Sequence, residues 1–171
     1  MLARSSVLHG APLRQAMRRS AGTVFIVAAG PEGQRCGLTA TSVVSLSMDP
    51  PALLVCINRR SSTYEVIRTQ RRFSVNLLGA SQVTFAQAFS CASTTGEQRF
   101  RHGRWRESSD GVPWLESANA AMLCDLEEGV AYGSHVAVVG RVTTVHLGCD
   151  PDAAPLLYSD GSYRALLPRR S

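Results

Sequence analysis

Gly37-Leu38-Thr39-Ala40-Thr41-Ser42-Val43-Val44-Ser45-Leu46-Ser47 is the stretch on which the reading of this chain turns, and it runs through Met48 into Asp49-Pro50-Pro51. Hydroxyls and small residues alternate there with apolar ones. A half-buried strand needs that pattern, because successive side chains on a strand face opposite sides. A flat polar ligand needs it equally, because a backbone without bulk approaches closely and its amides and hydroxyls supply donors along a ring edge. The residues themselves leave both readings open. The double proline bars a helix and extends the backbone before it, so the chain enters Ala52 as a strand.

Working outward, short runs rich in β-branched residues recur at Thr23–Ala28, Ala52–Asn58, Phe73–Leu78, Ala121–Leu126 and Val136–Val145, each bounded by turn or polar residues. Gly30-Pro31-Glu32-Gly33 reads as a hairpin turn that pairs strands across residues 23 to 40. Helical patterns are fewer and short: Pro12–Arg19, Ser62–Arg68 and Ser81–Phe89, with Ser62 and Ser81 as candidate N-caps. The polar stretch Ser93–Asp110 lacks a clean period and is expected to wrap the surface. Many short strands with few helices predict a mainly β, antiparallel barrel, which closes its own edges and leaves ligand sites at its rim.

At 171 residues the chain suits one domain, expected over 12–166 between tails at 1–11 and 167–171. No apolar run is long enough for a transmembrane helix, and the first dozen residues lack a secretory core, so a cytoplasmic protein is expected, with no membrane association. Arg4, two serines and the lack of acids loosely suggest an organelle presequence; a frayed tail is the plainer reading. The five cysteines form no CxxC pair, so no metal site is expected. The net charge of +5 is carried entirely by arginine, scattered without an aromatic-interleaved stripe, which suits phosphate-bearing small molecules better than nucleic acid.

A second informative run is Asn58-Arg59-Arg60-Ser61-Ser62-Thr63, where a strand ends in an amide, two guanidinium groups and three hydroxyls ahead of a short helix. Free amides at a helix start and forked arginines together could cradle a phosphate, although a capped helix beside a solvated basic loop would look the same.

Gly37 to Ser47, then Asp49-Pro50-Pro51, then Leu53 to Ser62, follow one another as in the flavin reductase family of FMN-binding split barrels, which the chain resembles. Further matches are Phe73-Ser74-Val75-Asn76-Leu77-Leu78, the Gly133-Ser134-His135 turn, Pro155-Leu156-Leu157-Tyr158 and Gly161-Ser162-Tyr163-Arg164, so the resemblance covers roughly 12–166. The family includes reductase components of two-component monooxygenases such as the 4-hydroxyphenylacetate enzyme.

The resemblance implies a six-stranded Greek-key split barrel, a homodimer, FMN or FAD as flavin and NADH or NADPH as hydride donor. It implies flavin contacts from Thr41, Ser42, Ser45 and Ser47 near the ring and ribityl chain, and from Asn58, Ser61 and Ser62 near the phosphate. His135 is implied beside the nicotinamide, with Tyr163 and Arg164 as further candidates. Ser90-Cys91 and Ser159-Asp160 depart from many relatives at the expected ligand rim. Hydride transfer needs rings held in register rather than an acid–base pair, and the sequence offers no obvious triad, carboxylate pair or metal cluster. Three outcomes stay open: supply of reduced flavin to a partner oxygenase, reduction of another acceptor such as a corrinoid or ferric complex, and a non-catalytic flavin- or haem-binding barrel.

Overall fold

The computed structural model describes residues 10–94 and 96–166; most of the expected tails, 1–9 and 167–171, lies outside the described residues. In chain order, α1 (Gly10–Met17) precedes β1 (Ala21–Thr23), β2 (Phe25–Ala29), β3 (Cys36–Ala40), β4 (Val43–Met48) and β5 (Pro51–Asn58). Next come α2 (Ser62–Gln70), β6 (Arg72–Leu77), α3 (Val83–Ser90), a 3-10 turn (Gly96–Arg101), β7 (Trp105–Glu107) and β8 (Pro113–Leu115). Two long strands, β9 (Ala120–Tyr132) and β10 (His135–Leu147), and a terminal hairpin, β11 (Leu156–Ser159) and β12 (Ser162–Ala165), complete the fold.

Seven strands form the main antiparallel sheet in the order β3-β2-β6-β9-β10-β5-β4, where the resemblance implied six. The extra strand comes from the opening stretch, which breaks at Thr41-Ser42 into β3 and β4, the two outermost strands. Inward side chains from all seven strands meet in one core: Val27, Leu38, Val43, Val55, Val75, Leu126 and Val138 are members. A sheet whose edge strands share a core with its middle strands has curled into a barrel. Phe73 fills its interior, and Gly140 makes room for it, since a Cβ at Gly140 would lie 2.4 Å from Phe73 Cζ.

β2 is apolar on both faces because both are covered. Val27 and Ala29 face the barrel, whereas Val24, Ile26 and Ala28 join a second core with Phe89, Phe100, Leu115 and Leu156. Phe100 lies in the 3-10 turn, so the stretch expected merely to wrap the surface covers this second core. Asn76 ties the layers together. Its Nδ2 donates to Ile26 O at 3.0 Å and to Ser74 Oγ at 2.9 Å, and its Oδ1 accepts from Leu115 N at 2.8 Å.

α2 runs from the end of β5 to the start of β6 and packs Tyr64 and Ile67 against the barrel core. Its N-cap is Ser61, not Ser62: Ser61 is extended, and its Oγ accepts from Tyr64 N at 3.1 Å. Ser81 is no cap either. Gln82 stands before α3, and its side chain binds Gly79 N and Ser117 O instead of the helix amides. α1 begins at Gly10 rather than Pro12 and buries no residue.

Candidate functional site

The β10–β5 ladder sets His135 opposite Asn58, Ala137 opposite Cys56 and Val139 opposite Leu54. Because alternate residues share a face, and Val136, Val138, Val55 and Ile57 point into the barrel, these six side chains face outward. β4 continues the same outer face with Val44 opposite Leu54, while Ser42 receives Cys56 N at 3.0 Å and donates from its hydroxyl to Cys56 O at 2.9 Å. Ser42, just ahead of β4, Asn58 at the end of β5 and His135 at the start of β10 therefore lie at one end of three neighbouring strands, with Ser42 level with Ala137, two residues along from His135.

The loop at this end is ordered by its own polar groups. Asn58 Oδ1 accepts from Arg60 N at 2.9 Å, which leaves the amide NH2 free to donate outward. Arg59 N donates to Ser134 O at 3.0 Å, fixing the loop against the β9–β10 turn. Ser134 Oγ lies 2.9 Å from His135 Nδ1, which turns Nε2 away from that contact. Beside Ser61, the exposed Ser62 opens α2, so its hydroxyl and the first-turn amides are available to an anion.

On the other side of Ser42, Thr41 lines a cleft of about 230 Å³ with Val24, Thr39, Ser90, Tyr158 and Tyr163. Tyr158 and Tyr163 face each other across β11–β12, edge to face with centroids 5.3 Å apart. A second cleft of about 440 Å³ shares Thr41 and Tyr158 and extends past Gly22 and Ser42 to Arg14 and Arg18. Gly22 allows the close approach at the junction, since a Cβ there would lie 3.0 Å from Thr41 Cβ. Joined clefts of this size fall in the range of about 300–1,000 Å³ that small-molecule sites occupy, and aromatic and hydroxyl walls suit a flat heterocycle with a polar edge.

The fold thus brings Thr41 and Tyr163 to one cleft, Ser42 to the cleft that adjoins it, and Asn58, Ser61, Ser62 and His135 to the nearby loop end. Ser45 and Ser47 stand apart from both groups. Ser45 pairs with Leu53 and so faces away from Val44, and the ladder shifts register between Ser45 and Ser47. Ser47 Oγ accepts from Asp49 N at 3.1 Å in the turn that holds a cis Asp49–Pro50 bond. Arg164, exposed on β12, pairs with Leu157 across the hairpin. Thr39 and Tyr158 were not singled out in the sequence as lining residues, whereas Ser90 belongs to the Ser90-Cys91 departure placed at the expected ligand rim.

The outer face beside Ser42, Asn58 and His135 is uncovered and apolar. Val44 is 56% exposed, Val130 55% and Tyr132 90%, with Leu54, Cys56, Ala137 and Val139 half-buried between them. Tyr132 and Val130 oppose His135 and Ala137 on β9, so they lie on this same face.

A family described as flavin reductase like domain matches residues 17–167 of the chain. The reductase component of an FADH(2)-dependent resorcinol hydroxylase from Rhizobium sp. (strain MTP-10005) is 36% identical over 161 residues, covering 93% of this chain and 88% of that protein. FMN reductase (NADH) RutF 1 of Methylorubrum extorquens (strain PA1) is 38% identical over 159 residues, covering 93% of this chain and 77% of its own length. Among solved structures, a flavin reductase domain protein from Arthrobacter sp. FB24 superposes with a TM-score of 0.84 at 27% identity, covering 95% of this chain and 99% of that one.

Proposed function

Because the chain belongs to the flavin reductase-like family, we propose that it reduces FMN or FAD with a hydride from NADH or NADPH and hands the reduced flavin to a separate oxygenase. The observation that carries this reading is the strip from His135 and Asn58 through Ser42 and Thr41 to Tyr158 and Tyr163, which joins a phosphate-sized loop to a ring-sized cleft.

When bound, the flavin supplies an electron-accepting ring, so hydride transfer needs no acid–base group from the protein. The chain's part is to bind and align. Thr41 offers a free hydroxyl at the cleft, and the small residues around it let the backbone approach a ring edge. Tyr158 and Tyr163 wall the cleft and keep bulk water from one side. The Asn58 amide, the Ser61 and Ser62 hydroxyls and the first amides of α2 form the cradle for the flavin phosphate. His135, steadied through Nδ1, presents Nε2 to the donor's carboxamide as a hydrogen-bonding group. Ser45 and Ser47 would reach a flavin only from a neighbouring surface, which fits a site completed at a dimer seam.

A second copy of this chain is the proposed cover for the apolar face beside the site, because that face carries valines and a tyrosine where solvent-facing strands carry polar residues. Among the described residues, no helix is long and apolar enough to cross a membrane. A reaction that draws on a nicotinamide pool suits the cytoplasm, where we place the protein, with residues 12–166 as its folded unit.

The test is NADH and NADPH oxidation by purified protein with FMN, FAD or riboflavin added, followed at the nicotinamide absorbance band. Flavin-dependent oxidation that saturates in both substrates supports the reductase. Tight flavin binding without oxidation would replace it with a binding module, and oxidation that starts only on adding a corrinoid or ferric complex would replace the acceptor.

A further inference from the structure

The ring cleft continues beyond what a flavin requires. Past Thr41 and Tyr158 it opens into the 440 Å³ cleft under α1, and beyond Arg18, Ser159 and Asp160 into a further cleft of about 450 Å³ that reaches Gln15 and Arg19. Three arginines, Arg14, Arg18 and Arg19, line this trench with a single carboxylate, Asp160. Asp160 is already matched, because Arg18 Nε donates to its Oδ1 at 2.8 Å. Among the described residues, neither Arg14 nor Arg19 lies within ion-pair distance of an acid, so the trench keeps two uncompensated positive charges.

α1 buries no side chain, and its Leu13 and Met17 are more than half exposed, so packing energy does not explain why this helix lies over the trench. The exposed Arg18–Asp160 pair contributes little on its own. A helix held so lightly, presenting spare guanidinium groups to a groove continuous with a ring-sized cleft, suits the anionic end of a long ligand.

We infer that the trench beneath α1 holds the adenosine diphosphate arm of the nicotinamide donor, with Arg14 and Arg19 as its phosphate contacts. The inference rests on the reductase reading for the donor's identity. The flavin's own phosphate is assigned to the Asn58–Ser62 loop, on the β5 side of Ser42, whereas the trench lies on the α1 side. A donor stacked at the ring therefore carries its pyrophosphate toward the side that the flavin phosphate leaves free. FAD bears the same chemical arm, and the test separates the two sources.

The experiment compares the whole chain with its Arg14→Ala/Arg19→Ala variant, whose altered side chains are exposed, and with the Arg14→Lys/Arg19→Lys variant, which keeps the charge. ADP titrated calorimetrically into the protein should bind about tenfold more weakly to the alanine variant and regain most of that affinity in the lysine variant. With FMN as acceptor, which lacks the arm, the KM for NADH should rise about tenfold in the alanine variant while kcat and the KM for FMN hold. Equal ADP affinity in all three proteins would overturn the proposal, as would a raised KM for FAD with an unchanged KM for NADH. The calorimetric arm needs no turnover, so a protein that binds ADP through these arginines but oxidises no NADH would count against the reductase reading and not against the trench.

Discussion

His135 stands directly opposite Asn58 across the β10–β5 ladder, two strands away from the serine whose hydroxyl closes on Cys56. Two side chains from distant parts of the sequence thereby share one outward face. Their neighbours differ, and so do the roles proposed for them: Asn58 lies with the hydroxyls and amides that open α2, and the Ser134 hydroxyl steadies His135.

That separation predicts a split in kinetics. If His135 serves the donor as proposed, His135→Ala should raise the KM for NADH and lower turnover about tenfold or more while flavin affinity changes little. Ser62→Ala should instead weaken flavin binding and leave the KM for NADH unmoved. Ser62 serves this purpose better than Ser61, whose loss would also cost about 1 kcal/mol of helix capping. Steady-state kinetics paired with flavin titration read both effects, and equal changes from both substitutions would remove the division of roles.

The barrel interior gives a test of packing that needs no ligand. Gly140→Ala should destabilise by about 1–3 kcal/mol, because the new methyl meets Phe73 Cζ at 2.4 Å, and Phe73→Leu in the same chain should recover part of that loss. Asn76→Ala should cost about 1–3 kcal/mol, since it strands the buried Leu115 N. Urea unfolding at fixed pH measures both as a shift in midpoint at constant slope.

The strand positions were legible because β-branched runs and breakers mark them: Ala52–Asn58 and Phe73–Leu78 each fall within a residue of the observed β5 and β6. The break at Thr41-Ser42 left a mark in the sequence, since the alternation of Gly37–Ser47 slips where Thr41 and Ser42 are both polar and Val43 and Val44 both apolar, but a slip of that kind marks a bulge as readily as a corner. The full length of β9 was missed for another reason: beyond Leu126 it carries two glutamates and a glycine that weaken the apolar signal, whereas Val136–Val145 falls within two residues of the observed β10. Of the site, the Asn58–Ser62 loop was readable from local chemistry, whereas the Tyr158–Tyr163 wall depends on a hairpin packing back near Thr41, a tertiary event that no local period encodes. Ser62 looked like the cap because it follows a serine equally able to cap; only the extended backbone at Ser61 decides between them.

Cys91 gives a pH-dependent prediction. Hydrogen bonding from the Ser93 hydroxyl, followed by contacts from the Ser93 backbone and Thr94, holds its thiol down to about 7 against an ordinary 9.0. The sign favours the thiolate, which is the reactive form, so Cys91 should be half reactive near pH 7 and fully so by pH 8. Burial pushes Cys124 up to about 12, so it should stay unlabelled throughout. Site-resolved mass spectrometry after brief iodoacetamide treatment from pH 5.5 to 9 should show Cys91 modification levelling off above neutrality. Ser93→Ala should move that midpoint upward, and an unmoved midpoint would reject the hydroxyl as the cause. Because Ser90 lines the ring cleft beside it, alkylated protein should also turn over more slowly.

The uncovered face makes the last prediction. Val44, Leu54, Cys56, Ala137, Val139 and Val130 form an apolar surface on β4, β5, β10 and β9, and leaving it in water costs about 25 cal/mol for each Å² of apolar area. Val44→Glu/Val130→Glu sets like charges on this face, which a monomer tolerates because both positions are more than half exposed. Sedimentation velocity should show the parent chain as a dimer and the variant as a monomer with an unchanged circular dichroism spectrum. If the site is completed at the seam, flavin affinity falls with dissociation; a monomeric variant that keeps the parent's flavin affinity would show that one chain holds the whole site.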